Sequence, residues 1–191
     1  MVRLAKAPPS IRSPPLKLTT AQLEAIRAQL ESGARAGAEV LVPEAALCLL
    51  ADFPNGALVG HGDITAGVVV RFQGAFGGTA VFALDPEDAL AWMRPASARD
   101  DLIPAYLDRV AGLVASAVNA WGESMGVAFA FGEPVLHEDS VVGILLGTHA
   151  PSDTLILSAR LAIDADGAPR PAHLYLMVDP KVLEVWAGHT A

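Results

Sequence analysis

Apolar residues recur at three- and four-residue steps along a stretch that begins near Tyr106 and extends toward Pro134. The members of this stripe are Leu107, Val110, Val114, Ala117, Val118, Trp121 and Met125. Because this spacing puts side chains on one face of an α-helix, it predicts a long amphipathic helix packed against a core. Another helix, the first along the chain, is predicted from Thr20 to about Leu41. Its apolar side holds Leu23, Ile26, Leu30, Ala34, Gly37 and Leu41.

The opposite side of the stretch from Tyr106 to Pro134 carries short or polar side chains. Side chains this short leave the helix backbone approachable, so that a partner can lie close along it. We therefore predict a partner-docking surface on this face. Its residues are Asp108, Gly112, Ala115, Ser116 and Asn119.

An Asp-Pro pair follows a strand-like apolar run at Asp85 and again at Asp179. A tryptophan lies seven residues beyond each Asp, at Trp92 and at Trp186. An Asp can cap a helix through its carboxylate, and Pro is tolerated at the first helical position. Each copy therefore predicts a strand, a cap and a helix, with the tryptophan in the core.

Two β-type runs joined by glycine-containing chain precede each Asp-Pro pair, and each pair of runs predicts a hairpin. The runs are residues 68–72 with 79–84, and residues 154–163 with 173–178. A predicted helix lies upstream of each hairpin, so the chain contains the same order of elements twice. We predict a single α+β domain over residues 18–191, with pseudo-repeats at about 18–95 and 101–188. Two long helices would pack on a mostly antiparallel sheet with pseudo-twofold symmetry.

The composition, 52% hydrophobic and 18% charged over 191 residues, is sufficient for a sizeable buried core. No apolar run approaches the roughly 18 residues that a membrane-crossing helix needs, and the first residues lack the apolar centre of a signal peptide. We therefore expect a cytoplasmic protein that does not bind membranes. The single cysteine, Cys48, excludes an intramolecular disulfide, and its apolar neighbours favour a buried, inert thiol.

Residues 1–17 contain four basic residues, four prolines and no acidic residue, which predicts a flexible basic Pro-rich tail. The net charge of −8 for the whole chain makes the remainder strongly acidic, and this excludes general nucleic-acid binding. No two of the five histidines have the three- or four-residue spacing of metal ligands on one helix. No metal site is predicted.

The repeated order of helix, strand and hairpin, with Gly33-Ala34 after the middle of the first helix, resembles the CheC/CheX/FliY family of chemotaxis phosphatases over roughly residues 18–186. The family signature is Glu-x-x-Asn on a helix, followed by 22 residues and a Pro in the next strand. Two prolines, Pro54 and Pro134, allow this count in the two halves.

Counting back from Pro134 puts Asp108 at the Glu position and Ala111 at the Asn position. Counting back from Pro54 puts Ala28 and Glu31 at these positions. The CheC-like motif is therefore degenerate in both halves, although the spacing is kept.

The resemblance implies hydrolysis of an aspartyl phosphate on a response-regulator receiver domain. In that family the Asn amide orients the attacking water and the Glu pairs with a lysine of the receiver, while the receiver supplies Mg²⁺, so no cofactor is implied for this chain. Ala111 has no amide, Asp108 is one methylene shorter than Glu, and Arg109 is expected to compete for Asp108. Ala28 has no carboxylate, and Glu31 lacks a donor.

Three functions stay open on this basis. The first is a chemotaxis or two-component signalling protein that binds a receiver domain or another chemotaxis protein and has weak or lost phosphatase activity. The second is an active receiver phosphatase that uses Asp108 or Glu31 in altered roles. The third is a non-catalytic, homodimeric interaction or scaffold module. Glu31 is also expected to pair with Arg27 or Arg35 one helical turn away.

Overall fold

Two long helices lie side by side on one face of an antiparallel sheet in the computed structural model, which describes residues 18–37, 39–52, 63–93 and 102–189. The helices are α1 (Thr20–Ala34), α2 (Pro86–Met93), α3 (Leu102–Glu123), α4 (Val141–Gly147) and α5 (Pro180–His189). The strands are β1 (Val40–Leu49), β2 (Ile64–Gln73), β3 (Gly77–Leu84), β4 (Ala130–Phe131), β5 (Val135–Ser140), β6 (Leu155–Ala165) and β7 (Ala168–Val178). Short 3₁₀ helices at Arg35–Gly37 and Leu50–Asp52 flank β1. The predicted α+β class is confirmed.

The strands form one sheet in the order β1-β6-β7-β3-β2-β4, and β5 also pairs with β2. Every pairing is antiparallel, and both predicted hairpins, β2–β3 and β6–β7, are present. The two hairpins meet at the centre, where β3 pairs with β7. At one edge, β1 of the first half is followed by the β6–β7 hairpin of the second half. At the other edge, leaving β4 aside, β5 of the second half is followed by the β2–β3 hairpin of the first half. A half-turn about an axis between β7 and β3 would exchange the two halves of such an order.

The main core lies between the sheet and the layer formed by α1, α2, α3 and α5. All three tryptophans are buried there, as are Val110 and Val114 of the predicted stripe. The other face of the sheet has a smaller core, which α4 covers with Ile144 and Leu145. The two layers therefore leave the outer sides of α1 and α3 open to solvent.

The Asp-Pro segments have the predicted structure. The Asp85 carboxylate accepts the backbone N–H of Glu87 at 2.8 Å, and that of Asp179 accepts the N–H of Lys181 at 2.8 Å. Each cap opens a helix whose tryptophan is fully buried.

The helix that begins at Thr20 ends earlier than predicted. α1 ends at Ala34 and not near Leu41, because Val40 already begins β1, where the β-branched sequence after Gly37 favours a strand. α3 begins at Leu102 and ends at Glu123, close to the predicted span of about Ile103 to Met125, and it does not continue toward Pro134. Gly126 there adopts the left-handed region, and the N–H of the next residue, Val127, donates to Gly122 O at 3.0 Å. This is a glycine-terminated C-cap.

In the first half, Pro54 is not in the strand that follows the helix, so the count back from it to the family motif is wrong. The strand that follows α1 is β1, and it contains Pro43. Pro54 comes after β1 and after the 3₁₀ helix Leu50–Asp52, and it lies outside the described residues. Pro134 immediately precedes β5, the strand that follows α3 and β4. The equal spacing of the two halves is therefore not a property of the fold.

Residues 1–17 and Asp101, which directly precedes α3 in the sequence, also lie outside the described residues. Among the helices that the structure describes, none combines the length and hydrophobicity that crossing a membrane requires.

Candidate functional site

α1 and α3 make their closest contact at Gly33 and Ser116. A Cβ added to Gly33 would lie 2.3 Å from Ser116 O and 2.6 Å from Ala117 Cα. The Ser116 hydroxyl donates to Gly33 O at 2.9 Å. Only a glycine fits here, because the neighbouring atoms belong to the backbone of the other helix.

This contact corrects the predicted docking surface. Ser116 does not lie on the open side of α3, because it faces α1. Asp108 and Gly112 are exposed, and a Cβ added to Gly112 would meet nothing within 4 Å. Ala115 and Asn119 are half-buried at the margin. We call Asp108, Gly112, Ala115 and Asn119 the α3 open face, and docking on it stays a prediction.

α1 contacts α3 near its own C-terminal end, where Gly33 meets Ser116, and the chain beyond α1 leads to Glu39, which contacts Arg109 nearer the start of α3. The exposed residues Glu24, Ala28 and Ser32 of α1 recur one turn apart, and we call them the α1 open face. Two of the three have short side chains. The two open faces therefore offer a partner a pair of closely packed helices with few long side chains in the way.

The Glu31 carboxylate is occupied by two arginines. Its Oε2 lies 3.3 Å from Arg27 Nη1, and its Oε1 accepts from Arg35 Nη2. Only 19% of the Glu31 side chain is exposed. The predicted pairing along the helix is confirmed. Because the count from Pro54 also fails, the assignment of Ala28 and Glu31 to the family motif has lost its basis in the fold.

Arg109 does not compete for Asp108 as expected. Its guanidinium carbon lies 4.0 Å from the centroid of the Trp92 ring, and its Nη1 donates to Trp92 O at 3.2 Å. Its Nη2 donates to Glu39 Oε1 at 3.4 Å. Arg109 thus joins α3 to the end of α2 and to the residue that precedes β1, and it leaves the Asp108 carboxylate free to face solvent.

Glu39 is an almost buried carboxylate, with 4% of its side chain exposed. Burial raises the pKa of Glu39 above its ordinary value, and the positive charge of Arg109 lowers that pKa in part. Sequence reasoning missed this pair because the two residues are 70 positions apart and neither belongs to a motif.

We expect Arg109→Met to lower the free energy of unfolding by about 2 kcal/mol at pH 7, because it leaves the buried Glu39 carboxylate without its charged partner. Urea unfolding would measure the loss. Adding Glu39→Gln to the same variant should restore most of the stability, since no buried charge remains.

The loss should depend on pH. In Arg109→Met the folded-state pKa of Glu39 rises further above the unfolded value of about 4.5. The folded state therefore favours the protonated Glu39. The loss of stability is absent below about pH 4.5, where Glu39 is protonated in both states, and it grows as the pH rises from there through the folded-state pKa. Unfolding near pH 4 should show a much smaller difference from the wild type than unfolding at pH 7. An equal difference at both pH values would mean that lost packing on Trp92 dominates.

No three His, Cys, Asp or Glu side chains come together as a metal site within the part of the chain that the structure describes. Cys48 is half-buried in β1.

The paired helices, the central β3–β7 contact and the strand order define the fold of the CheC/CheX/FliY proteins, and the predicted resemblance is confirmed at the level of the fold. FliY from Thermotoga maritima is similar with a TM-score of 0.63 and 11% identity, over 91% of this chain and 98% of that one. A chain of the FliM–SpeE complex from H. pylori is similar with a TM-score of 0.59 and 12% identity, over 90% of this chain and 95% of that one. CheX from Desulfovibrio desulfuricans is similar with a TM-score of 0.52 and 10% identity, over 83% of this chain and 99% of that one. No protein-family model and no curated protein sequence matches this chain.

Proposed function

We propose that this chain is a cytoplasmic, CheC-like signalling protein that binds a response-regulator receiver domain, or a related signalling partner, through the α1 and α3 open faces. We further propose that its aspartyl-phosphate phosphatase activity is weak or lost. The observation that carries the proposal is the α3 open face itself, where an exposed Asp108 and an unobstructed Gly112 flank Ala111, which has no amide.

Docking is supported by the chemistry of both open faces. Asp108 is an exposed carboxylate that forms no ion pair with the residues that the structure describes, and it is able to meet a lysine of a partner. Gly112, Ala28 and Ser32 add little bulk, so a partner element can approach the helix backbones closely. FliM from H. pylori, whose fold is similar, was crystallised in complex with SpeE, and this supports a protein-binding role as part of the proposal.

Loss of hydrolysis is supported by the missing amide. A methyl group at Ala111 can neither donate to nor accept from a water molecule, and Glu31 is held by two arginines. The amide of Asn119 lies eleven residues beyond Asp108, which is about 16 Å along a helix. It cannot act on a phosphoryl group placed beside Asp108. Any Mg²⁺ would be carried by the receiver.

Titration with beryllofluoride-activated receiver domains, beginning with those encoded beside this chain, tests the docking surface. We expect Asp108→Lys and Gly112→Gln each to weaken binding at least about tenfold, since the first reverses a contact charge and the second adds bulk where space is open. Glu184→Lys, an equal charge change at an exposed position of α5, is the matched control and should bind like the wild type. Binding that is unaffected by both α3 variants would place the partner elsewhere.

A further inference from the structure

A groove of about 420 Å³ lies on the face of the sheet opposite to α1 and α3, between α4 and the strands β2 and β5. Its wall includes Gly132 and Gly147, so backbone forms part of the opening. Its volume is within the range of sites that take small molecules. Nothing in the docking surface described above uses it.

The floor of the groove is apolar. Val69 and Val135 are directly opposite each other on β2 and β5, and Ile144 of α4 also lines the groove. Gly67 of β2 leaves room for Ile144, because a Cβ there would lie 2.3 Å from Ile144 Cδ1. Val135 is 51% exposed. Val135 thus gives the floor an exposed apolar side chain beside the half-buried Val69 and the nearly buried Ile144, and a hydrocarbon side chain can cover it.

One end of the groove carries two opposite charges. Gly132 lies opposite Arg71, since its N–H donates to Arg71 O at 2.8 Å, and Glu133 is the next residue along the chain, between the β4 and β5 pairings with β2. Both side chains are exposed and line the groove. Within the described residues, neither forms an ion pair within 4.0 Å, whereas Arg27, Arg35, Arg109 and Arg170 each contact a carboxylate. A neighbouring cation and anion are therefore both available to a ligand.

We infer that the groove binds a free α-amino acid with an apolar side chain. Arg71 would take the α-carboxylate, Glu133 the α-ammonium group, and the Val69–Val135–Ile144 floor the side chain. A purely anionic ligand would face Glu133, and a purely cationic one would face Arg71. The interior of a polypeptide has neither α-charge, so the charge pair favours a free amino acid over a peptide segment.

Heteronuclear NMR titration of the full chain with L-leucine tests this inference. Leucine should shift the amide signals of Gly132, Gly147 and Thr148, which line the groove. Three probes each lack one feature: 4-methylpentanoate has no ammonium group, 3-methylbutylamine has no carboxylate, and glycine has no side chain. Each should bind at least about tenfold more weakly than leucine, because each loses a charge-assisted contact or the apolar contact. Equal binding of any of these probes would overturn the assignment.

Two variants test the charges. Arg71→Gln and Glu133→Gln should each weaken leucine binding at least about tenfold, whereas Lys181→Gln, at an exposed position of α5, should leave it unchanged. All three changes are at exposed positions, so circular dichroism should show an intact fold. No leucine-dependent shift in the wild type, or undiminished binding in both groove variants, would overturn the inference without bearing on receiver docking.

Discussion

Gly33→Ala is expected to lower the free energy of unfolding by about 3 kcal/mol, the upper part of the usual range for overpacking. The added Cβ would lie 2.3 Å from Ser116 O and 2.6 Å from Ala117 Cα. These are backbone atoms, so no side chain can rotate away, and α1 must move from α3 or bend. The shift would also strain the hydrogen bond from Ser116 to Gly33 O. The better helix propensity of Ala offsets at most about 1 kcal/mol of this cost.

Gly112→Ala is the matched control, since Gly112 is also inside a long helix but a Cβ there meets nothing within 4 Å. It should leave the stability unchanged or raise it by about 0.5–1 kcal/mol, because Ala is the better helix former. Urea unfolding of both variants measures the difference. If Gly33→Ala were as stable as Gly112→Ala, the close contact of α1 with α3 would be wrong, and so would the arrangement of the two open faces.

The double variant Asp108→Glu/Ala111→Asn is expected to accelerate dephosphorylation of a bound receiver by about 10²–10³-fold, by analogy with the loss caused by removing one transition-state hydrogen bond. Asn at position 111 would supply the donor and acceptor that Ala111 lacks, one turn of α3 away from the carboxylate. Asp108→Glu alone is the matched control and should give no comparable gain. A gain of equal size from the single variant would show that the length of the carboxylate, and not the amide, limits the rate.

Local signals predicted much of the fold. The Asp85 and Asp179 caps depend on neighbouring residues only, and the two hairpins follow from alternating or continuous β-type runs, so caps and hairpins were both predicted. The predicted runs were too short at the starts of β2 and β7, which begin at Ile64 and Ala168. The start of β1 and the end of α1 were not predicted. Gly33 was assigned to the middle of a longer helix because its role is tertiary: it allows the contact with Ser116.

The candidate site was predicted only in part, for a related reason. Helical periodicity separates a buried side from an open one, and it placed Asp108 and Gly112 correctly on the open side. It contains no information about a second helix packed alongside, and so it assigned Ser116 to the docking surface. Arg109 was assigned to its sequence neighbour for the same reason, although its partners Trp92 and Glu39 come from other elements.

The most direct test of docking without hydrolysis is one titration of acetyl-phosphate-labelled receiver with the wild-type chain, followed by ³¹P and amide NMR together. The amide signals report the complex, and the phosphorus signal reports the lifetime of the aspartyl phosphate. We predict that the complex forms while the phosphoryl group decays at the rate of the receiver alone. Absence of a complex, or decay as fast as with an intact phosphatase of the CheX type, would contradict the account.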